Sequence, residues 1–165
     1  MKDIKCSLIA VIDNNFAIGK NGDQIAYISN DLKRFKQITL NKPVVMGRKT
    51  FEALPKGALP NRRNIIVSRN KNLNLLNTEL VNSVEETLGL LKNESDFFVI
   101  GGGEIYKLFL QYAKNIYITH IHHNFNNADT FFPLFDKKQW KLTVCEGPFN
   151  DEKSGLTYSF ETYNR

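Results

Sequence analysis

Phe97-Phe98-Val99-Ile100-Gly101-Gly102-Gly103-Glu104-Ile105-Tyr106 is the stretch that decides the fold. Four apolar residues without polar interruption fit a strand covered on both faces. Three glycines then end the strand, and Glu104 to Tyr112 reads as a helix. Consecutive glycines cost backbone entropy on folding. Two explanations stand: a ligand pressed against the main chain, or a tight strand-to-helix turn with close packing. The order is not the G-x-G-x-x-G of dinucleotide-binding proteins, and no acidic residue is evident about 20 positions on.

The same alternation extends outward in both directions. Residues 5–12 read as a buried strand and residues 30–40 as a helix. Asn41-Lys42-Pro43 stops that helix ahead of a strand at Val44-Val45-Met46. A short helix runs from about Thr50 to Leu54, and residues 64–68 form another strand. Ser83-Val84-Glu85-Glu86 is a capping box that opens a helix to about Lys92. Ile116 to Ile121 is a strand. Trp140 to Glu146 and Leu156 to Tyr163 alternate apolar and polar residues as an antiparallel hairpin does. This order predicts one α/β domain over residues 1–165. Its central sheet is mostly parallel, with helices on both faces and an antiparallel C-terminal hairpin at the edge. In such sheets ligands bind at the carboxyl ends of the strands.

Composition agrees. Of 165 residues, 42% are hydrophobic and 24% charged, enough apolar material for a core. The longest apolar run near the N-terminus, Ser7 to Ile12, is shorter than a signal-peptide core and is cut by Asp13. No run approaches the roughly 20 residues that span a membrane, so a cytoplasmic protein is expected. Cys6 and Cys145 lie in strand-like stretches and read as two buried, reduced thiols. His120, His122 and His123 have no carboxylate or cysteine to complete a ligand pattern, so no metal is expected. Net charge is +5, but the cations are scattered. A pocket for polyanionic small ligands accounts for them as well as nucleic acid does.

Asp31, Phe35 and Ile38 share one helical face at i, i+4 and i+7. Asp31 is therefore either a solvated acid favoured by the helix dipole or a half-buried carboxylate able to bind a planar, amidine-like donor pair. Gly47-Arg48-Lys49-Thr50 ends a strand and begins a helix, which suits either a phosphate or a basic surface turn. Ser68-Arg69 ends the next strand on the same edge, and the cations Arg48, Lys49 and Arg69 hint at NADPH over NADH. Arg62 and Arg63 are either a carboxylate clamp or two exposed arginines.

Taken together these motifs resemble dihydrofolate reductase along nearly the whole chain. The resemblance is carried by Ser7–Ala10, Ala17–Gly19, Asp31–Lys36, Thr39–Glu52, Leu59–Asn64, Ile100–Tyr106, Tyr117–His120 and Asp129–Pro133, in shared order and spacing. It implies that Asp31 holds the N3 and 2-amino donors of the pterin and that Thr119 is its hydroxyl partner. It implies pterin-pocket positions at Ile9, Leu32, Phe35, Leu54 and Ile100, and Arg62 as the partner of the substrate's glutamate α-carboxylate. Cofactor positions are implied at Val11, Ile18, Gly47, Arg48, Lys49, Thr50, Ser68, Arg69, Gly101, Gly102, Gly103, Glu104, Ile105, Tyr106 and Thr130. The implied partners are NADPH, dihydrofolate and antifolate inhibitors, bound by a monomer without nucleic acid or membrane. The N5 proton is expected to come from water, with Asp31 orienting and polarising the ring.

The sequence departs from the family at Gln24-Ile25-Ala26-Tyr27-Ile28-Ser29. The family carries Pro-Trp-x-Leu/Ile-Pro here, so Ala26 stands at the Trp. Either Tyr27 swings into that space, or Ile25 and Ile28 close over it. Two other readings compete: a pyrimidine reductase of riboflavin synthesis, and a non-catalytic ligand- or RNA-binding protein with this fold. Asp31 with Thr119, and Arg62 for a glutamate tail, favour folate over the first; Asp31, Thr119 and the glycine turn argue against the second.

Overall fold

The computed structural model describes residues 3–165. Its elements in chain order are β1 (Lys5–Ile12), β2 (Ala17–Lys20), β3 (Asp23–Gln24), α1 (Ser29–Thr39), β4 (Val44–Gly47), α2 (Arg48–Glu52), β5 (Asn64–Val67), β6 (Glu79–Val81), α3 (Val84–Leu90), β7 (Asp96–Gly101), α4 (Gly103–Phe109), β8 (Ala113–Ile121), β9 (Thr130–Phe131), β10 (Lys141–Asn150) and β11 (Thr157–Asn164). A 3-10 turn at Leu110–Tyr112 links α4 to β8. Eight strands form one sheet in the order β10-β11-β8-β1-β7-β4-β5-β6, and β3-β2-β9 form a small second sheet. From β8 to β6 the pairings are parallel, while β11 and β10 run antiparallel. This is the expected parallel sheet with a C-terminal hairpin at its edge.

Side-chain alternation divides the core between the two faces of the sheet. Cys6, Leu8, Val45, Ile65, Phe97 and Val99 point to one face, where Val84 of α3 and Ile105, Tyr106 and Phe109 of α4 cover them. Ile9, Val44, Met46, Ile66 and Phe98 point to the other, beneath Phe35 and Ile38 of α1 and Phe51 of α2. Helices thus lie on both faces, as expected for strands that read as continuous apolar runs.

Element ends differ from the sequence reading for identifiable reasons. The second helix begins at Arg48, directly after Gly47, instead of at Thr50. The predicted helix from Glu104 to Tyr112 tightens into 3-10 geometry at Leu110. β2, β3, β6 and β9 have two to four residues, too few to show a period. The capping box forms, with the Ser83 hydroxyl accepting from Glu86 N at 3.0 Å. Glu86 reaches one residue further back than expected and accepts from Asn82 N at 2.7 Å.

The cysteine expectation holds for one residue only. Cys6 is buried, and burial pushes its thiol up to about 12. Cys145 is exposed, because β10 is the outermost strand and all ten of its residues lie open. Among the described residues no three His, Cys, Asp or Glu side chains gather as metal ligands. No helix among them is long and apolar enough to cross a membrane.

Asp13, which cut the first apolar run, is fully buried. Its Oδ1 accepts from Asn15 N at 2.8 Å and Ala17 N at 2.9 Å, and its Oδ2 from Phe125 N at 2.9 Å. One carboxylate thereby ties the β1–β2 turn to the segment after β8. Asp13→Ala strands these amide donors, and we expect it to cost about 2–4 kcal/mol in denaturant unfolding. Amide exchange at Asn15, Ala17 and Phe125 should speed up before that of the central strands.

Candidate active site

Asp31 lies in the first turn of α1, half-buried and in contact with β8. The buried Thr119 of β8 donates its hydroxyl to Asp31 Oδ1 at 2.6 Å. Asp31 Oδ2 accepts no hydrogen bond from any described residue, so one carboxylate edge is free for outside donors. Burial raises the carboxyl above its ordinary range, while the Thr119 hydrogen bond and the charge of Arg34 pull it back down. Of the two readings of Asp31, the half-buried carboxylate is the one found.

Apolar residues flank that edge. Ile9, Phe35, Leu54 and Ile100 belong to one cluster with Val44, Met46, Phe51 and Phe98. Leu32, next to the carboxylate, leaves 48% of its surface exposed. The Ile9 carbonyl accepts the buried Tyr106 hydroxyl at 2.7 Å.

The two adjacent arginines, of which the resemblance singled out Arg62, have separate hydrogen-bond partners. Arg63 is committed to the fold, pairing with Glu79 at 2.8 Å and Glu94 at 2.7 Å. Arg62 gives Nε to the Pro60 carbonyl at 3.0 Å and Nη1 to Thr39 Oγ1 at 3.0 Å. Its Nη2 has no hydrogen-bond partner among the described residues, and its guanidinium carbon lies 6.0 Å from the centre of the Phe35 ring. An anion clamp half held by protein suits a carboxylate beyond Phe35.

Parallel pairing brings the remaining candidates to one sheet edge. Met46 is level with Gly101 and Gly47 with Val67, so Gly47, Ser68 and the glycine turn line up. Gly101 has φ 128°, and its peptide bond to Gly102 is cis. A Cβ on Gly103 would lie 2.9 Å from the Phe131 carbonyl of β9. Backbone conformation therefore accounts for Gly101, and close packing for Gly103. A Cβ on Gly102 would meet only the Thr50 hydroxyl, at 3.4 Å, so no such packing accounts for this glycine. The structure fits a backbone cradle at this one glycine.

The cations of this edge are not equivalent. Arg48 Nη1 contacts both Glu52 oxygens, at 2.8 and 2.9 Å, whereas Lys49 and Arg69 are exposed and make no ion pair among the described residues. Ser68 follows the end of β5 and is half-buried. Val11 and Ile18 are half-buried on β1 and β2, and Thr130 packs against Gly19 and Gly103. Ile105 and Tyr106 are core residues, and Glu104 is exposed in the first turn of α4.

The expected alternatives around Ala26 are also separated. Tyr27 stays 49% exposed, with its hydroxyl on Asp23, and does not fill the space. Ile28 is buried against Ile121 and Tyr158, with Ile25 and Ala26 packed beside it. Sequence reasoning missed Arg34, whose spacing of three from Asp31 was the available signal.

Comparison with known proteins bears on this arrangement. A family model described as dihydrofolate reductase matches residues 5–165. A dihydrofolate reductase of Staphylococcus haemolyticus is 40% identical over 98% of this chain and 96% of its own. One from Bacillus subtilis (strain 168) is 38% identical over 96% and 94%. The solved structure of dihydrofolate reductase from Enterococcus faecalis, complexed with NADP(H) and RAB-propyl, superposes with a TM-score of 0.90. It is 33% identical and covers 98% of this chain and 96% of that one. The fold, the half-buried carboxylate with its hydroxyl partner and these matches agree: the chain belongs to the dihydrofolate reductase family.

Proposed function

We propose that the chain reduces 7,8-dihydrofolate to tetrahydrofolate with NADPH. The observation that carries this reading is the Asp31 carboxylate, anchored by Thr119 at 2.6 Å and otherwise open. Two adjacent ring donors, N3–H and the 2-amino group, match a carboxylate held in this way. Ile9, Leu32, Phe35, Leu54 and Ile100 provide the apolar walls that exclude bulk water from the ring. Arg62 offers its free Nη2 edge to the α-carboxylate of the substrate's glutamate. A 2,4-diaminopyrimidine antifolate presents a similar donor pair to the same acid.

When bound, NADPH supplies the hydride that C6 of the pterin receives. The residues that would hold it are Gly47, Arg48, Lys49, Thr50, Ser68, Arg69 and the Gly101–Gly103 turn, with Val11, Ile18, Glu104, Ile105, Tyr106 and Thr130 around them. N5 gains one proton as C6 gains the hydride. Asp31 binds the far edge of the ring, so it orients and polarises the pterin while water delivers that proton. We take the enzyme to act as a monomer in the cytoplasm. Following NADPH oxidation with and without dihydrofolate tests the activity directly; no folate-dependent oxidation would end this reading.

Asp31→Asn should lower turnover by roughly 10²–10⁴-fold. The defect should ease at low pH, where the substrate arrives protonated. The same variant should be more stable than the parent. Burial raises the folded carboxyl, so as pH rises the unfolded chain loses this proton first. Stability then falls from the unfolded value, about 3.9, up to the raised folded one, and the penalty persists at neutral pH. Asn carries no such penalty. Thermal unfolding at pH 7 should occur a few degrees higher in the variant, and the difference should shrink in acid.

Replacing Arg69 by Ser should weaken NADPH by about 1.5–3 kcal/mol and leave NADH nearly unchanged. Arg48→Ser should cost less, because an incoming phosphate must first displace Glu52. Isothermal titration with both cofactors checks the order; equal losses for NADH would show that neither arginine reads the 2′-phosphate.

A further inference from the structure

Arg34 stands one helical turn after Asp31, on the same side of α1. Its guanidinium carbon lies 4.4 Å from the centre of the Phe160 ring and 5.9 Å from that of Tyr117. Phe160 pairs directly with Thr119 across β11 and β8, and Thr119 holds Asp31. The cation is thus fixed to the strand neighbour of the hydroxyl that anchors the carboxylate. It is half-buried and makes no ion pair with any described residue, in contrast to Arg48 and Arg63. A guanidinium stays charged in such a place, and an aromatic face stabilises it without neutralising it.

We propose that Arg34 is a positioning residue of this site, a permanent positive charge clamped on Phe160 that stabilises the ionised form of Asp31 needed to receive the substrate ring. The proposal rests on the role given to Asp31 above. It resolves a difficulty of that role. A carboxylate surrounded by apolar walls favours its protonated form, and the single Thr119 hydrogen bond only partly offsets this. A cation one turn away acts on the charge without occupying the free oxygen.

The charged and titratable groups around the pair are few. From α4, the buried Tyr106 faces Asp31; burial and the Asp31 charge hold its phenol well above the usual range, so it stays neutral. From β8, Thr119 and Tyr117 face the pair, and from β10, Glu146 acts on Arg34. Burial and the opposing charges act on Arg34 in opposite directions.

Infrared titration of the Asp31 carboxyl stretch in the full-length protein, with Asp31→Asn as the blank, tests the proposal without turnover. In Arg34→Met and Arg34→Gln the midpoint should rise by about one pH unit, a tenfold change in the ionised-to-protonated ratio. Arg34→Lys should return most of the shift. An unchanged midpoint in both neutral variants overturns the proposal. A rise of equal size in Arg34→Lys also overturns it, since packing and not charge would then be the cause. Turnover of Asp31→Asn separates the two readings. If that variant works normally, the functional reading falls; if it is impaired while the Arg34 midpoints stay put, only the proposal about Arg34 falls.

Discussion

The structure depends on the position of β1, which pairs in parallel with β7 on one side and β8 on the other. Parallel strands end at the same edge, so this pairing sets what can meet there. Val11 comes level with Thr119, and β7 delivers its glycine turn to the same edge. β1 itself supplies the Ile9 carbonyl that Tyr106 ties down. A one-residue slip of β1 would exchange the two faces of the core, since Leu8 and Ile9 point to opposite clusters. Site geometry and core packing are therefore enforced by one register.

Much of this was legible in the sequence. The apolar strands, the glycine turn and the alternating hairpin carry local signals strong enough to predict the sheet. The family resemblance pointed to Asp31 and Thr119, 88 residues apart, which no periodicity could pair. What escaped was decided by tertiary neighbours. Arg62 and Arg63 are adjacent and chemically alike; the resemblance singled out Arg62, but that Arg63 is tied to Glu79 and Glu94 had no local signal. Cys145 sits in an alternating strand like Cys6 in its apolar one, but its strand is outermost. Arg34 reads as an ordinary helix cation until Phe160 is brought over it from the far end of the chain.

The site also shows how binding chemistry is kept within a packed domain. A carboxylate is held half-buried although its charge opposes burial. Gly101 adopts a conformation that few other residues tolerate. Such features weaken a fold locally. Other bonds tie the surrounding chain together: Asp13 holds the adjoining turn, and Arg63 pairs with two acids.

The outer strand β10 gives the sheet its boundary. Leu142, Val144 and Phe149 are exposed along it, a composition that in a straight strand invites stacking of one chain on another. Its pairing with β11 is broken by register shifts between Leu142 and Val144 and again between Glu146 and Phe149. Pro148, lacking an amide hydrogen, falls inside the second break. The outward row of donors and acceptors is thereby interrupted twice within ten residues. Breaks of this kind blunt an edge strand against the strand-by-strand addition of another chain, which suits the apolar side chains exposed there.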